Sequence, residues 1–229
     1  MSANNLRIWR QVEKTDPAYT KSFSRGGGFK GTATNATYLA MKATETFGPM
    51  GIGWGVRVLS EQYIEGAWID ERNRETIHKV LVELWYIYGD KRGEVQQYGQ
   101  TTFVGTNRHG AFTDEEHAKK SLTDGMSKCL SLLGFAADIH LGRYDDNKYV
   151  AEVAAEFNEK REAEAKAAAP KVSEKQAADL QALLEETNSD INGFLKFFKV
   201  GALAELTLQD FARAVAMLEK KRATTEATA

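Results

Sequence analysis

Residues 113–149, TDEEHAKKSLTDGMSKCLSLLGFAADIHLGRYDDNKY, carry the most information about the fold of this 229-residue chain. The first half of this stretch has the 3.6-residue period of an amphipathic helix, so one face is expected to be buried. That face consists of Ala118, Leu122, Met126, Cys129, Leu130 and Leu133. Thr113 and Glu116 predict a capping box at the start of the helix, and Gly134 predicts its end. Small and basic side chains remain on the opposite face.

Metal and cofactor chemistry find little support in the sequence. The single cysteine, Cys129, excludes an intrachain disulfide, and its place on the apolar face predicts a buried structural thiol. The four histidines lack the close pairing that zinc ligands need. The glycines at 26–28 are not followed by the spacing of a nucleotide-binding loop. We therefore expect no metal and no cofactor.

Before this helix, the spacing of apolar residues is helical in one segment and has the two-residue period of strands in others. The predicted elements are a helix over 32–47 and strands over 54–64, 76–88 and 94–104. The glycines at 89 and 93 predict the turn between the last two strands. Residues 1–150 therefore predict an α+β core, in which an antiparallel β-meander or hairpin packs with helices.

The composition changes after this core. Residues 151–170 are rich in Ala, Glu and Lys and predict a partly helical linker. Residues 171–229 predict a small all-α C-terminal unit, with a capping box at Ser173 and Gln176 and a further helix start at Thr207. This unit is interpreted either as a docking module for a partner or as a packing appendage.

Charge and hydropathy limit the possible functions. Residues 1–150 contain 19 Lys and Arg against 18 Asp and Glu, so bulk charge does not indicate a nucleic-acid-binding protein. Any anion-binding surface must be assembled by the fold or by oligomerisation. Because no signal segment and no apolar run near 18 residues occurs, we expect a soluble protein that does not enter a membrane.

Three blocks of sequence resemble the Rad-fifty-two-like superfamily of single-strand annealing proteins. The first is LTDGMSKCL at 122–130, followed by Leu-Gly at 133–134. The second is GGGFK at 26–30 together with 38–54, which contains Phe-Gly and Gly-Trp pairs, and the third is EVQQYG at 94–99. The resemblance covers roughly residues 19–150. Ser127 stands where the family has one of its two basic residues, so the chain resembles a divergent member of the family, of the phage-encoded kind.

The resemblance implies a fold, an activity and an assembly. The protein would bind single-stranded DNA without sequence specificity and anneal complementary strands during recombination or double-strand break repair. It would act as an oligomeric ring or filament without covalent catalysis, in the cytoplasm of a bacterial host if it is phage-encoded. The C-terminal unit would dock a single-strand-binding protein or an exonuclease.

The residues expected to contact DNA are cations in or beside these blocks and two tyrosines that offer planes for stacking. They are Arg25, Lys30, Tyr38, Tyr98, Lys120, Lys128, Arg143 and Lys148. A second and less specific basic cluster, near the predicted hairpin, consists of Arg72, Arg74 and Lys79.

Two other functions fit the same sequence. One is a scaffold that binds DNA ends without annealing them. The other is a metal-dependent nuclease that uses Asp145 and Asp146, although two adjacent acidic side chains usually point apart.

Overall fold

The computed structural model describes residues 5–24, 26–28 and 30–226. The chain divides into two compact units, Met1–Glu156 and Phe157–Ala229. The first unit combines antiparallel sheets with helices, and the second is helical. The predicted α+β class, with an all-α C-terminal unit, is therefore confirmed.

The helices and strands of the first unit follow in chain order. They are α1 (Arg7–Val12), β1 (Thr20–Ser24), β2 (Lys30–Thr34), α2 (Ala36–Phe47), β3 (Trp54–Trp68), β4 (Arg74–Tyr88), β5 (Lys91–Asn107), β6 (Gly110–Thr113), α3 (His117–Leu132) and α4 (Ala137–His140). Helix α5 (Asn147–Ala168) contains the boundary between the units. The second unit continues with α6 (Glu174–Glu186), α7 (Ile191–Phe198) and α8 (Leu208–Glu226).

Strands β3, β4, β5 and β6 form one antiparallel sheet in that order. Strands β1 and β2 pair in a separate hairpin. Helix α3 packs across β4 and β5. It approaches the sheet closely because Gly99 of β5 faces Gly125 of α3, where a side chain on either residue would meet backbone or a buried valine.

Alternate residues of β4 form the core beneath α3. Val80, Val82 and Leu84 are buried, as their period-two spacing predicts. Cys129 of α3 packs on them, and its Sγ lies 3.7 Å from the carbonyl oxygen of Val82. Burial raises the pKa of the Cys129 thiol above its ordinary value. The prediction of a buried structural thiol is confirmed.

The start of α3 differs from the prediction. Thr113 is not an N-cap, because it ends strand β6 and pairs with Val104. The Asp114 side chain instead accepts a hydrogen bond from the backbone N–H of Glu116 at 3.0 Å, and the helix begins at His117. The predicted end is confirmed, since Gly134 has a φ of 100° directly after the helix.

The first predicted helix is also shorter than expected. Residues 32–34 belong to β2, whose pairing with β1 satisfies their backbone groups. Asn35 then caps α2, and its side chain accepts a hydrogen bond from Thr37 N at 2.8 Å. The hairpin β1–β2 carries too little apolar alternation to be recognised from sequence.

The C-terminal unit has its own small core, which includes Leu180, Leu184 and Phe198. Ser173 and Gln176 form the predicted capping box at the start of α6. The segment predicted as a linker lies largely in α5, and Val153 at its beginning is buried. Among the described residues, no helix is long and apolar enough to cross a membrane.

Candidate functional site

A groove of about 590 Å³ opens on the first unit, between three walls. Strand β2 forms one wall with residues 30–34, and α3 forms the second with Asp124, Ser127 and Lys128. The third wall is the segment 136–145, which includes His140. The groove thus brings together Lys30 and Lys128, which belong to different sequence blocks.

The groove is mixed in charge rather than basic. Asp124 and Asp145 line it together with the two lysines. Lys128 Nζ lies 2.8 Å from Asp124 Oδ2, so this cation already has a counter-charge. Lys30 is exposed and makes no ion pair with any other described residue. The two acidic side chains therefore balance the two lysines of the groove.

Asp124 and Lys128 also contact the free edge of strand β5. The Gln100 backbone N–H donates to Asp124 Oδ2 at 3.1 Å, and Lys128 Nζ donates to the carbonyl oxygen of Tyr98 at 3.3 Å. Unpaired edge groups of a sheet attract other strands unless side chains or loops cover them. The ion pair therefore has a structural role at this edge, which the helical period of α3 did not reveal.

The third wall of the groove is fixed by a buried carboxylate. Asp138 accepts hydrogen bonds from Thr15 N at 2.8 Å and from Thr15 Oγ1 at 2.7 Å. Tyr149 donates to the same carboxylate at 3.1 Å, and Tyr144 donates to the Thr15 carbonyl oxygen. These bonds join the segment before β1 to the wall of the groove. Sequence reasoning missed Asp138, although its apolar neighbours Ala136, Ala137 and Ile139 were the local signal of a buried acid.

Tyr38 is not the stacking surface that the sequence predicted. It is 5% exposed, and its ring stacks on Tyr19 with 4.5 Å between ring centroids. Its hydroxyl oxygen accepts a hydrogen bond from Asp16 N at 3.0 Å. The apolar core beneath α2 takes up the ring, so Tyr38 is a core residue, and Tyr19 is the more exposed ring of this pair.

Tyr98 is exposed but lies outside the groove. Its neighbour Gly99 faces α3, so Tyr98 points to the opposite face of the sheet. Its side chain is available to solvent, and Lys79 Nζ lies 4.0 Å from the ring centroid. The sequence grouped Lys79 with the cations near the hairpin. In the structure, Lys79 instead contacts the ring of Tyr98.

The remaining predicted contacts lie apart from the lining of the groove. Lys120 pairs with Asp114 at 2.7 Å, and the Arg143 guanidinium lies 5.8 Å from the Tyr149 ring centroid. Lys148 is exposed in the first turn of α5. Arg25 lies outside the described residues. Of the eight predicted residues, the fold joins Lys30 and Lys128 in one site.

The two acids of the nuclease hypothesis have different surroundings. Asp145 lines the groove, whereas Asp146 accepts a hydrogen bond from Lys148 N at 2.8 Å at the start of α5. Within the described ranges, no group of three or more His, Cys, Asp or Glu side chains is arranged to hold a metal ion.

Burial of Tyr38 makes a testable prediction about alkaline stability. Burial raises the pKa of Tyr38 from 10.0 to about 12. Between these values the unfolded chain loses a proton that the folded chain keeps, so the free energy of unfolding falls as pH rises. Tyr38→Phe should be less stable than wild type by about 1 kcal/mol at pH 9, through the lost hydrogen bond.

Urea unfolding of both proteins at several pH values between 9 and 12 measures this effect. The stability advantage of wild type over Tyr38→Phe should shrink as pH rises, vanish between about pH 10 and about pH 11, and reverse at higher pH. A difference that stays constant would show that Tyr38 ionises as freely in the folded protein as in the unfolded chain.

No protein-family model matches the chain, and no curated protein matches it. The resemblance to the Rad-fifty-two-like superfamily therefore depends on the three sequence blocks alone.

Proposed function

We propose that the protein binds single-stranded DNA without sequence specificity and anneals complementary strands, as a homo-oligomer and without covalent catalysis. The proposal rests on the observation that Lys30 and Lys128 line the same groove. Each comes from a block that resembles the annealing proteins, and the two blocks are far apart in sequence. A cation on either side of a groove can neutralise successive phosphates of one strand.

The rest of the lining suits a phosphate backbone rather than base recognition. Thr32 and Thr34 offer hydroxyl groups along the groove. Such contacts position a strand and carry no sequence information. Binding through them is therefore tolerant of sequence, as annealing of arbitrary complementary strands requires.

Oligomerisation would supply the positive potential that one groove lacks. Because acids balance the lysines in each groove, a continuous track of grooves is needed for tight binding. Strand β3 offers a contact for assembly, since its outer edge pairs with no described strand and Val58, Leu59 and Tyr63 are exposed along it. An unpaired edge with exposed apolar side chains favours pairing with another chain.

The proposal also includes the cellular location of the protein and the partners of its C-terminal unit. Activity would take place in the cytoplasm, of a bacterial host if the chain is phage-encoded. The C-terminal unit would recruit a single-strand-binding protein or an exonuclease to the annealing site.

Annealing kinetics test the proposal directly. Two complementary oligonucleotides, labelled with a fluorophore and a quencher, should anneal faster with the protein than without it. Binding of each strand should weaken steeply between about 50 mM and about 500 mM salt, because counterion release dominates. Native mass spectrometry in the same buffers should find oligomers.

Three results would count against this function. Tight binding without faster annealing would favour a scaffold that binds DNA ends. Cleavage of the strands in magnesium or manganese would favour a nuclease. Binding that does not change with salt would exclude the phosphate groove.

A further inference from the structure

The four-stranded sheet has one covered face and one open face. His78, Val80 and Val82 of β4 point toward α3 and are buried. Residues at odd positions of β4 point the other way, and Ile77, Lys79, Leu81 and Trp85 among them are partly exposed, whereas Glu83 is buried. On β5 the same open face carries Gln96, Tyr98 and Gln100, which are all exposed.

The strand register shows which side chains are neighbours on this open face. Lys79 lies between Gln62 of β3 and Gln100 of β5. In the next row, Leu81 lies between Ser60 and Tyr98. The face therefore alternates amides, hydroxyls, a cation and an aromatic ring. In the row on the other side of Lys79, Ile77 lies opposite Ile64 of β3.

Two aromatic rings on this face already make a cation–π contact. Lys79 Nζ lies 4.0 Å from the Tyr98 ring centroid, and the Arg92 guanidinium lies 4.8 Å from that of Trp85. Contacts of this kind at exposed sites are worth about 0.5–1 kcal/mol, so they exchange readily for better partners. The ring can then stack on a base while the cation binds a phosphate.

Lys79 is the cation on this face that is available for such an exchange. Arg57 lies 3.8 Å from Glu83, and Arg92 lies 2.9 Å from Glu94. Lys79 has no carboxylate partner among the described residues, so its charge is not compensated on the face. Glu83 and Glu94 of the face, in contrast, each pair with an arginine, and Glu75 accepts a hydrogen bond from the Thr102 hydroxyl.

We propose that the open face of the sheet, centred on Tyr98 and Lys79, is a stacking platform for the unpaired bases of single-stranded nucleic acid. The inference rests on the proposed function and adds a second surface to it. The groove holds phosphates, and the sheet face holds bases. Lys128 links the two surfaces, because it lines the groove and donates to the Tyr98 carbonyl oxygen.

The test compares Tyr98→Leu with Tyr98→Phe in the full-length protein. Stacking on an aromatic side chain contributes enough that its loss should weaken binding of a short thymidine oligonucleotide about 5-fold to about 150-fold. Tyr98→Phe keeps the ring and should bind as wild type does. An abasic oligonucleotide of the same length should bind Tyr98→Leu and wild type equally, because it presents phosphates without bases.

Phe197→Leu is the matched control. Phe197 is an exposed ring in the second unit with the Arg213 guanidinium 5.3 Å from its centroid. Loss of this ring should leave binding of both oligonucleotides unchanged. Photocrosslinking of wild type to an oligonucleotide that contains iododeoxyuridine should label Tyr98, and this result needs no variant.

The outcomes separate the two proposals. If wild type binds and anneals strands while Tyr98→Leu binds thymidine oligonucleotide as tightly and no crosslink forms at Tyr98, the platform is wrong and the proposed function stands. If wild type binds no single strand, both fail. If Tyr98→Leu instead lowers the oligomeric mass in native mass spectrometry, the face packs on a second copy of the chain and the platform is wrong.

Discussion

The double variant Lys30→Ala/Lys128→Ala is expected to lose roughly 60-fold in affinity for single-stranded DNA at about 50 mM salt, because each phosphate contact on a single strand contributes about 0.7 to the salt slope. The estimate assumes that each lysine neutralises one phosphate in the groove. The salt slope itself should fall by about 1.4. Filter binding or fluorescence anisotropy over a range of salt concentrations measures both quantities.

Stability is not expected to explain this loss. The Lys128 side chain is 46% exposed in its pair with Asp124. Exposed ion pairs usually contribute about 1 kcal/mol or less, so the variant should remain folded. Urea unfolding of the double variant checks this expectation before binding is compared.

Lys14→Ala is the matched control. Lys14 pairs with Glu156, and its side chain is 47% exposed, so it resembles Lys128 in exposure and in having a carboxylate partner. It does not line the groove. Loss of Lys14 should leave the salt slope unchanged. If the folded double variant and Lys14→Ala bind as tightly as wild type with the same slope, the groove is not the phosphate site.

Gly99→Ala is expected to destabilise the first unit by about 3 kcal/mol or more, because it forces backbone apart at the centre of the helix–sheet contact. A Cβ at Gly99 would lie 1.9 Å from the carbonyl oxygen of Ser121 and 2.5 Å from Gly125 N. Neither atom can move without displacing α3. The helix also carries Asp124 and Lys128, so its displacement should disturb the groove as well.

Gly66→Ala provides a comparison on another strand of the same sheet. A Cβ at Gly66 would lie 2.8 Å from Glu75 Oε2, which can turn away, and 3.0 Å from Glu75 Cβ, so only a small shift of β4 is needed. This substitution should change the free energy of unfolding by less than about 1 kcal/mol. Urea unfolding of both variants measures the difference. Equal stability of Gly99→Ala and wild type would show that α3 does not approach the sheet as closely as described.

Local periodicity was sufficient for the long strands of the sheet. Strands β4 and β5 were predicted within a few residues, because alternate side chains of a half-buried strand must be apolar. The capping box at Ser173 and Gln176 was also predicted, since it depends on residues three apart. Such features are decided within one turn or one strand, where sequence neighbours are spatial neighbours.

Local pattern was misleading where a distant segment competes. Thr113 has the sequence of a helix cap, yet it lies in β6 and pairs with Val104 of β5. Tyr38 was expected on the surface, yet Tyr19 and the core beneath α2 enclose it. In both cases a contact across the fold outweighs the local preference.

The sequence by itself determined the α+β class, the buried thiol of Cys129 and the end of α3 at Gly134. The tertiary structure alone decided that Lys30 and Lys128 share a groove, that Asp138 fixes its wall, and that Tyr98 belongs to the other face of the sheet. The physical reason is that periodicity specifies which side of an element is buried. It does not specify which distant element buries it, and that choice depends on close packing such as the contact of Gly99 with Gly125.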